Sequence, residues 1–264
     1  MATASRPPAA LVSLALLLTA CGGGGGGGET GVGAEPPAVA LATAGGIWSG
    51  TLTTSASGPR SIEGVITEDG RLALRDETDM MYFGTLSISG RQASGKISGV
   101  RPSGSGNGTG DISVSITERV SLSGRLTFQG AQNGSSNSGT LALSFQPLYN
   151  RPSSHATVAG NYVPLTQPSS AIVTVDSLGR LFTQSTEVVG TCTSNGQLGV
   201  IDPRFSVYDF SRTTDCGQGE QLQTGLAVLD DSTQPRTLTI YQKQIVTVSG
   251  SDILAVFLWS LVGV

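Results

Sequence analysis

Imidazole, charge and aromatic rings are all scarce in this chain. His155 is the one histidine among 264 residues. It leaves a single imidazole for base catalysis and removes the His-Glu-x-x-His zinc motif. Charged side chains make up 13% of the chain, with a net charge of −4. No Lys/Arg run occurs, which argues against a phosphate backbone as partner. There is no Gly-x-Ser-x-Gly elbow, no Ser-x-x-Lys and no Walker loop, so the common nucleophile and phosphate-binding classes are missing. Cys-x-x-Cys is absent too, and with one histidine no metal site or cofactor site is expected. Long apolar runs are also lacking. The longest near the N-terminus, Ala9–Leu18, is broken only by Ser13. It is about half the roughly 20 residues that a spanning helix needs.

What is present begins with an address. Met1–Ala20 carries Arg6, a short apolar core and small residues, which reads as a secretory signal peptide. Leu18-Thr19-Ala20-Cys21 resembles the bacterial lipobox. That resemblance implies a diacylglycerol on the sulfur of Cys21, cleavage before it and acylation of the new amino terminus. The alternative is an ordinary signal peptide cut near Ala20, leaving Cys21 free. Seven consecutive glycines follow, Gly22–Gly28. The segment to Gly45 has too few large side chains to fold. As a flexible coil it reaches roughly 27 Å, which makes it a tether. Several acyl chains on one residue anchor firmly, whereas a single chain binds marginally. By analogy with enterobacterial lipoproteins, Gly22 after the cysteine implies the outer membrane.

Two cysteines remain, Cys192 and Cys216. An even pair in an oxidising compartment predicts a disulfide, the alternative being two buried thiols. It would close a loop of about 25 residues and constrain the unfolded chain by roughly 3 kcal/mol.

After residue 46 strict alternation dominates. Asp111–Thr117 places Ile112, Val114 and Ile116 on one face and polar groups on the other. Leu126/Phe128, Leu141/Leu143/Phe145, Val173/Val175 and Leu238/Ile240 repeat the pattern. Turn chemistry separates the runs, as at Glu68-Asp69-Gly70 and Asp176-Ser177-Leu178-Gly179. Strands are predicted near 46–54, 61–67, 71–76, 82–89, 94–100, 110–117, 120–129 and 138–147. About eight more follow Gly160. Ile253–Val264, apolar on both faces, reads as a last strand packed on both sides or closing a barrel. The fold class is therefore all-β, with two antiparallel lobes forming small eight-stranded up-and-down barrels or sandwiches. The boundaries are 1–20 signal peptide, 21–45 tether, 46–148 first lobe, 149–159 linker and 160–264 second lobe. Both lobes open on glycine, one residue and an aromatic (Gly46-Ile47-Trp48 and Gly160-Asn161-Tyr162), which suggests duplication.

Gly46-Ile47-Trp48 resembles the opening signature of lipocalins and related calycins. Those are eight-stranded barrels that bind small apolar molecules, and in them this Trp mostly caps the barrel base. The whole body also looks like a broad set of proteobacterial lipoproteins, which implies a β fold and a location only. Acidic residues cluster at Asp76-Glu77-Thr78-Asp79 and Asp230-Asp231-Ser232 and read as charged hairpin turns. "PSGSGNGTG" (102–110) and "GAQNGSSNSG" (130–139) read as mobile hairpin tips that a partner can meet. His155 reads as solvated. The expectation is a non-enzymatic outer-membrane lipoprotein, held by Cys21. It captures a small apolar ligand inside a barrel, or an envelope or host partner on its loops. The alternatives are a structural envelope role and a hydrolase with an unrecognised site.

Overall fold

The structure, a computed structural model, describes residues 42–264 apart from 103–106, 131–135, 166–170, 188–189, 218–219 and 249–250. Sixteen strands close into two antiparallel barrels of eight, each in simple up-and-down order.

The first barrel comprises β1 (Gly46–Thr54), β2 (Gly58–Ile66), β3 (Arg71–Asp76), β4 (Met81–Ser89), β5 (Gln92–Val100), β6 (Gly108–Thr117), β7 (Ser121–Gly130) and β8 (Ser136–Gln146). It closes through β1 on β8, with Trp48 opposite Phe145. Alternation explains the interior. In β6, Ile112, Val114 and Ile116 point inward and the residues between them face water. The barrel is filled by its own side chains: Trp48, Leu52, Ile62, Leu74, Ile112 and Leu122 are almost wholly buried in one cluster. Eight-stranded barrels are narrow enough to be filled in this way.

The second barrel comprises β9 (Gly160–Pro164), β10 (Ile172–Val175), β11 (Arg180–Glu187), β12 (Gly190–Val200), β13 (Val207–Asp215), β14 (Glu220–Asp230), β15 (Thr237–Val248) and β16 (Ser251–Gly263). The apolar C-terminal run is β16, and it closes the barrel by pairing with both β15 and β9. Its interior is graded. Near the end where β9 begins it is apolar, with Tyr162, Leu198, Tyr208, Phe210 and Ile240 buried. Towards the other end, Ser194, Arg212, Gln223, Gln242 and Gln244 are buried instead.

The two barrels share a third apolar cluster built from outward-facing side chains. Val65, Ala73, Met81, Phe83 and Val100 of the first pack with Val207, Leu226, Val228, Tyr241 and Val256 of the second. Where a strand meets this interface, alternation gives way to burial on both faces. Leu72 and Leu74 fill the barrel while Ala73 between them enters the interface. The connection between barrels is tied down rather than free. Pro147–Asn150 forms a 3-10 turn and α1 (His155–Val158) a single helical turn. Ser206 donates from its backbone N to the Tyr149 carbonyl at 3.1 Å and from its hydroxyl to the Leu148 carbonyl at 2.8 Å. Ser153 donates to the Pro203 and Asp202 carbonyls.

The barrels repeat each other in detail. The β2–β3 turn is closed by Gly70 N donating to Thr67 O, and the β10–β11 turn by Gly179 N donating to Asp176 O, both at 2.9 Å. Leu86 N then donates to Gly70 O, and Leu198 N to Gly179 O, both at 2.8 Å. Both glycines sit at positive φ, +85° and +77°. A Cβ would stand 2.2 Å from the Leu86 oxygen at one and 2.5 Å from the Leu198 oxygen at the other, so only glycine fits. At the base, Trp48 Nε1 donates to the carbonyl of Ala44 and the Tyr162 hydroxyl to that of Val158, each four residues back.

Candidate functional site

The residues singled out in the sequence scatter across the structure. Cys21 lies outside the described residues. Cys192 and Cys216 form a disulfide, S–S 2.08 Å. Cys192 faces into the second barrel on β12, and Cys216 begins the β13–β14 hairpin. The bridge therefore fastens the rim of that barrel at the end away from the linker.

His155 is not a solvated linker residue. It starts α1, capped by Ser154, whose hydroxyl accepts from Thr157 N at 3.0 Å. Its ring packs on the β10–β11 turn, where a Cβ on Gly179 would lie 2.7 Å from the imidazole, and its buried Nε2 has no hydrogen-bond partner. The neighbouring hydroxyls are engaged elsewhere: Ser153 with Asp202 O, Ser154 with Thr157. No Ser–His pair is formed among them.

The acidic cluster at 76–79 divides. Asp76 is 1% exposed and organises the β3–β4 hairpin. Its carboxylate accepts from Thr78 N and Oγ1, Met80 N and the Tyr82 hydroxyl, at 2.7–3.1 Å. Asp79 instead pairs with Arg75 at the surface. The charged-turn reading holds for Asp79, whereas Asp76 is a buried anchor for the turn. Asp230 likewise accepts from Ser232 N within its own turn, and Asp231 pairs with Arg151. Among the described residues, no group of three His, Cys, Asp or Glu side chains is placed to hold a metal ion. The two glycine-rich segments lie partly outside the described residues. Gly108–Gly110 and Ser136–Gly139 are paired strand, not loop.

The base of the first barrel holds a charged junction that the sequence did not reveal. Arg119, in the β6–β7 hairpin, pairs with Glu68 at 2.7 Å and donates to the Gly45 carbonyl at 3.3 Å. Its guanidinium lies 4.8 Å from the centre of Tyr149 and 4.6 Å from that of Phe205, which are stacked on each other. The Tyr149 hydroxyl donates to Glu68 at 3.2 Å. Burial beside the Glu68 charge pushes the Tyr149 phenol well above its usual range. These groups clamp the linker between the two barrels.

The open space lies between the barrels. Where their shared cluster ends, the outer walls part to leave a cleft of about 1670 Å³. Phe83, Leu226 and Leu254 belong to both the cluster and the cleft, so the cleft continues an apolar interface. Its walls differ. On the second barrel the register sets Leu222, Ile245 and Leu254 in a row across β14, β15 and β16. Leu222 is 61% exposed and Ile245 68%, high for side chains of that size. The first barrel contributes hydroxyls, among them Ser87, Ser94, Thr109 and Ser113. Arg71 of β3 reaches Asp209 of β13 at 2.9 Å, and Lys96 pairs with Asp111 at 2.6 Å. Such a groove, apolar on one side and hydroxylated on the other, can hold an elongate amphiphilic molecule. No family model matches the chain, and neither does any curated protein or solved structure.

Proposed function

We propose that the chain is a non-enzymatic binding module of the bacterial outer envelope, anchored by lipid on Cys21. In this reading it offers the cleft between its barrels to a small ligand with apolar and polar faces. The observation that carries the reading is the 1670 Å³ cleft with Leu222 and Ile245 exposed along one wall. Ligand sites are concave, mostly apolar and supplied with a few polar groups. The filled interior of the first barrel moves the expected site from inside a barrel to between the two. The lipobox-like Leu18–Cys21 supports the anchor.

Two measurements test this. Cys21→Ser should move the protein from the membrane to the soluble fraction; full retention on membranes would overturn the anchor. Native mass spectrometry of the protein extracted from envelopes should show added mass that a denatured sample lacks. Leu222→Lys combined with Ile245→Lys should abolish that mass. Identical native and denatured masses would favour the structural envelope role.

A further inference from the structure

We infer that the polar half of the second barrel is a receptor for an anionic head group on an apolar tail, with Arg212 as the residue that binds the anion. This site is distinct from the apolar row of the cleft: Arg212, Gln223 and Gln242 do not line the cleft, while Gln221 and Gln244, at the far end of the amide chain, border both.

Among the described residues, Arg212 is a buried cation without a counter-charge. Arg212 lies on the inward face of β13 beyond Tyr208 and Phe210, and it is 6% exposed. Among the described residues it makes no ion pair. Its Nε donates to the Gln223 oxygen at 2.6 Å, Gln223 donates on to Gln244 at 2.9 Å, and Gln244 to Gln221 at 2.7 Å. This chain of neutral amides accepts hydrogen bonds in one direction, away from the guanidinium, and brings no negative charge. Trp259 covers one face, 3.8 Å from the guanidinium carbon to the ring centre. A guanidinium taken out of water without an anion is a costly arrangement. Burial pushes its pKa down to about 9.

A second observation places a ligand there. Gln242 is 1% exposed and its Oε1 has no hydrogen-bond partner. Its amide offers an acceptor to a ligand hydroxyl or, turned over, two donors to an anion. Directly across the ladder from Gln242 stands Phe257. Phe257 has the inward parity of Trp259 and Leu261, yet it is 41% exposed. An inward side chain is so exposed only where the barrel is open. Among the described residues the strands differ in length around the barrel. β13 to β16 run 9 to 13 residues, while β9 and β10 have 5 and 4. β16 pairs with β9 over Leu261, Val262 and Gly263, and Leu165 N adds a hydrogen bond to Ser260 O at 2.8 Å. The long strands carry Arg212, the glutamines and the two aromatic rings. An anion can reach the guanidinium while its tail lies along Phe257 and Trp259. Arginine suits either a carboxylate or a phosphate, because its fork of donors matches two oxygens.

The test uses the full-length Cys21→Ser chain, so that no detergent is needed, titrated with dodecanoate, dodecyl phosphate, dodecanol and inorganic phosphate. Trp259 emission reports binding; Trp48, fully buried in the other barrel, serves as an internal constant. Saturable change with dodecanoate or dodecyl phosphate is expected, and whichever binds tighter identifies the head group. Dodecanol should bind about 10- to 100-fold more weakly, and Arg212→Met should lose the preference for the anion. Arg212→Lys should restore part of it. Leu222→Lys with Ile245→Lys should leave it unchanged, which separates this site from the cleft. Equal affinity for dodecanoate and dodecanol, undiminished anion binding by Arg212→Met, or no saturable response to any probe would overturn the inference. Should Arg212→Met fail to fold, the comparison of dodecanoate with dodecanol on the Arg212-containing chain decides alone.

Discussion

Replacing Arg119 by Met should uncouple the two barrels. Methionine keeps most of the side chain's apolar stem and removes its charge. Arg119 and Glu68 are each 25% exposed and 2.7 Å apart. Removing one partner of a fully buried pair costs about 3–5 kcal/mol. Water reaches a quarter of Glu68, so about 2 kcal/mol is the better figure here. Losing the guanidinium from Tyr149 and Phe205, at 4.8 and 4.6 Å, adds about 1 kcal/mol. The total, about 3 kcal/mol, is a large share of the 5–15 kcal/mol typical of folded proteins. It falls on the junction, because Glu68 belongs to the first barrel, Phe205 to a loop of the second, and Tyr149 to the link between them. The chain has two tryptophans, and each barrel holds one, Trp48 and Trp259. Fluorotryptophan labelling therefore gives one fluorine resonance per barrel. Under urea the unaltered protein should lose both native resonances together. The variant should lose that of Trp48 at lower urea, with the two transitions resolved. A shift below about 0.5 kcal/mol with coincident transitions would refute the reasoning.

The other expectations can be checked on the same material. All five tyrosines have their phenols pushed up, each chiefly by burial, with Tyr208 at about 12. A phenol that keeps its proton when folded and releases it near pH 10 when unfolded makes stability flat below pH 10 and falling from 10 towards 12. Phenolate absorbance appearing at pH 10 before any unfolding would contradict this. Reducing Cys192–Cys216 should cost the second barrel roughly 3 kcal/mol through loop entropy and leave the Trp48 transition in place. Equal loss in both barrels, or none, would show that the bridge does not act through the second barrel.

The fold was legible because a closed barrel with one dry face writes itself as alternation. Ile112, Val114 and Ile116 could be placed inward from the sequence, and so could the turns at Gly70 and Gly179. The barrel-to-barrel interface was less so. Its signal was present as breaks in alternation, in Leu72-Ala73-Leu74 and Ala227-Val228-Leu229, where consecutive residues are apolar. Two-sided burial reads identically whether a strand faces a second sheet, a second barrel or a ligand, and pattern alone does not choose. Arg212 was hidden for a different reason. Parity in "VYDFSRTTD" sets it on the face of Tyr208 and Phe210, which could have been noticed. The opening on that side, seen in the 41% exposure of inward-facing Phe257, depends on the closed pairing of the barrel and has no local signature. The Arg119 junction draws on Glu68, Tyr149 and Phe205, far apart in sequence and joined only by the closed topology.

The repeated base of the barrels separates what each copy keeps for itself from what it uses for assembly. Arg119 lies between strands six and seven of its barrel, and Arg236 lies between β14 and β15, the same place in the second. Arg236 donates to the Thr157 and Ala159 carbonyls at 2.7 and 2.5 Å, and its guanidinium lies 5.2 Å from the centre of Tyr162. Every one of these partners belongs to the second barrel or the segment entering it. Arg236 thus closes its own barrel, whereas Arg119 in the equivalent position also reaches Phe205 of the other. Arg236→Met should therefore lower the Trp259 transition by about 2 kcal/mol, the scale of two hydrogen bonds from a charged donor at a partly open site. Its effect on coupling should differ from that of Arg119→Met: the second barrel weakens, but the Tyr149–Phe205 stack and the Arg119–Glu68 pair remain to transmit its unfolding. If Arg236→Met resolved the two transitions as Arg119→Met is expected to, coupling would run through the shared apolar cluster and the stability of each barrel. The charged junction at the base would then be incidental to it.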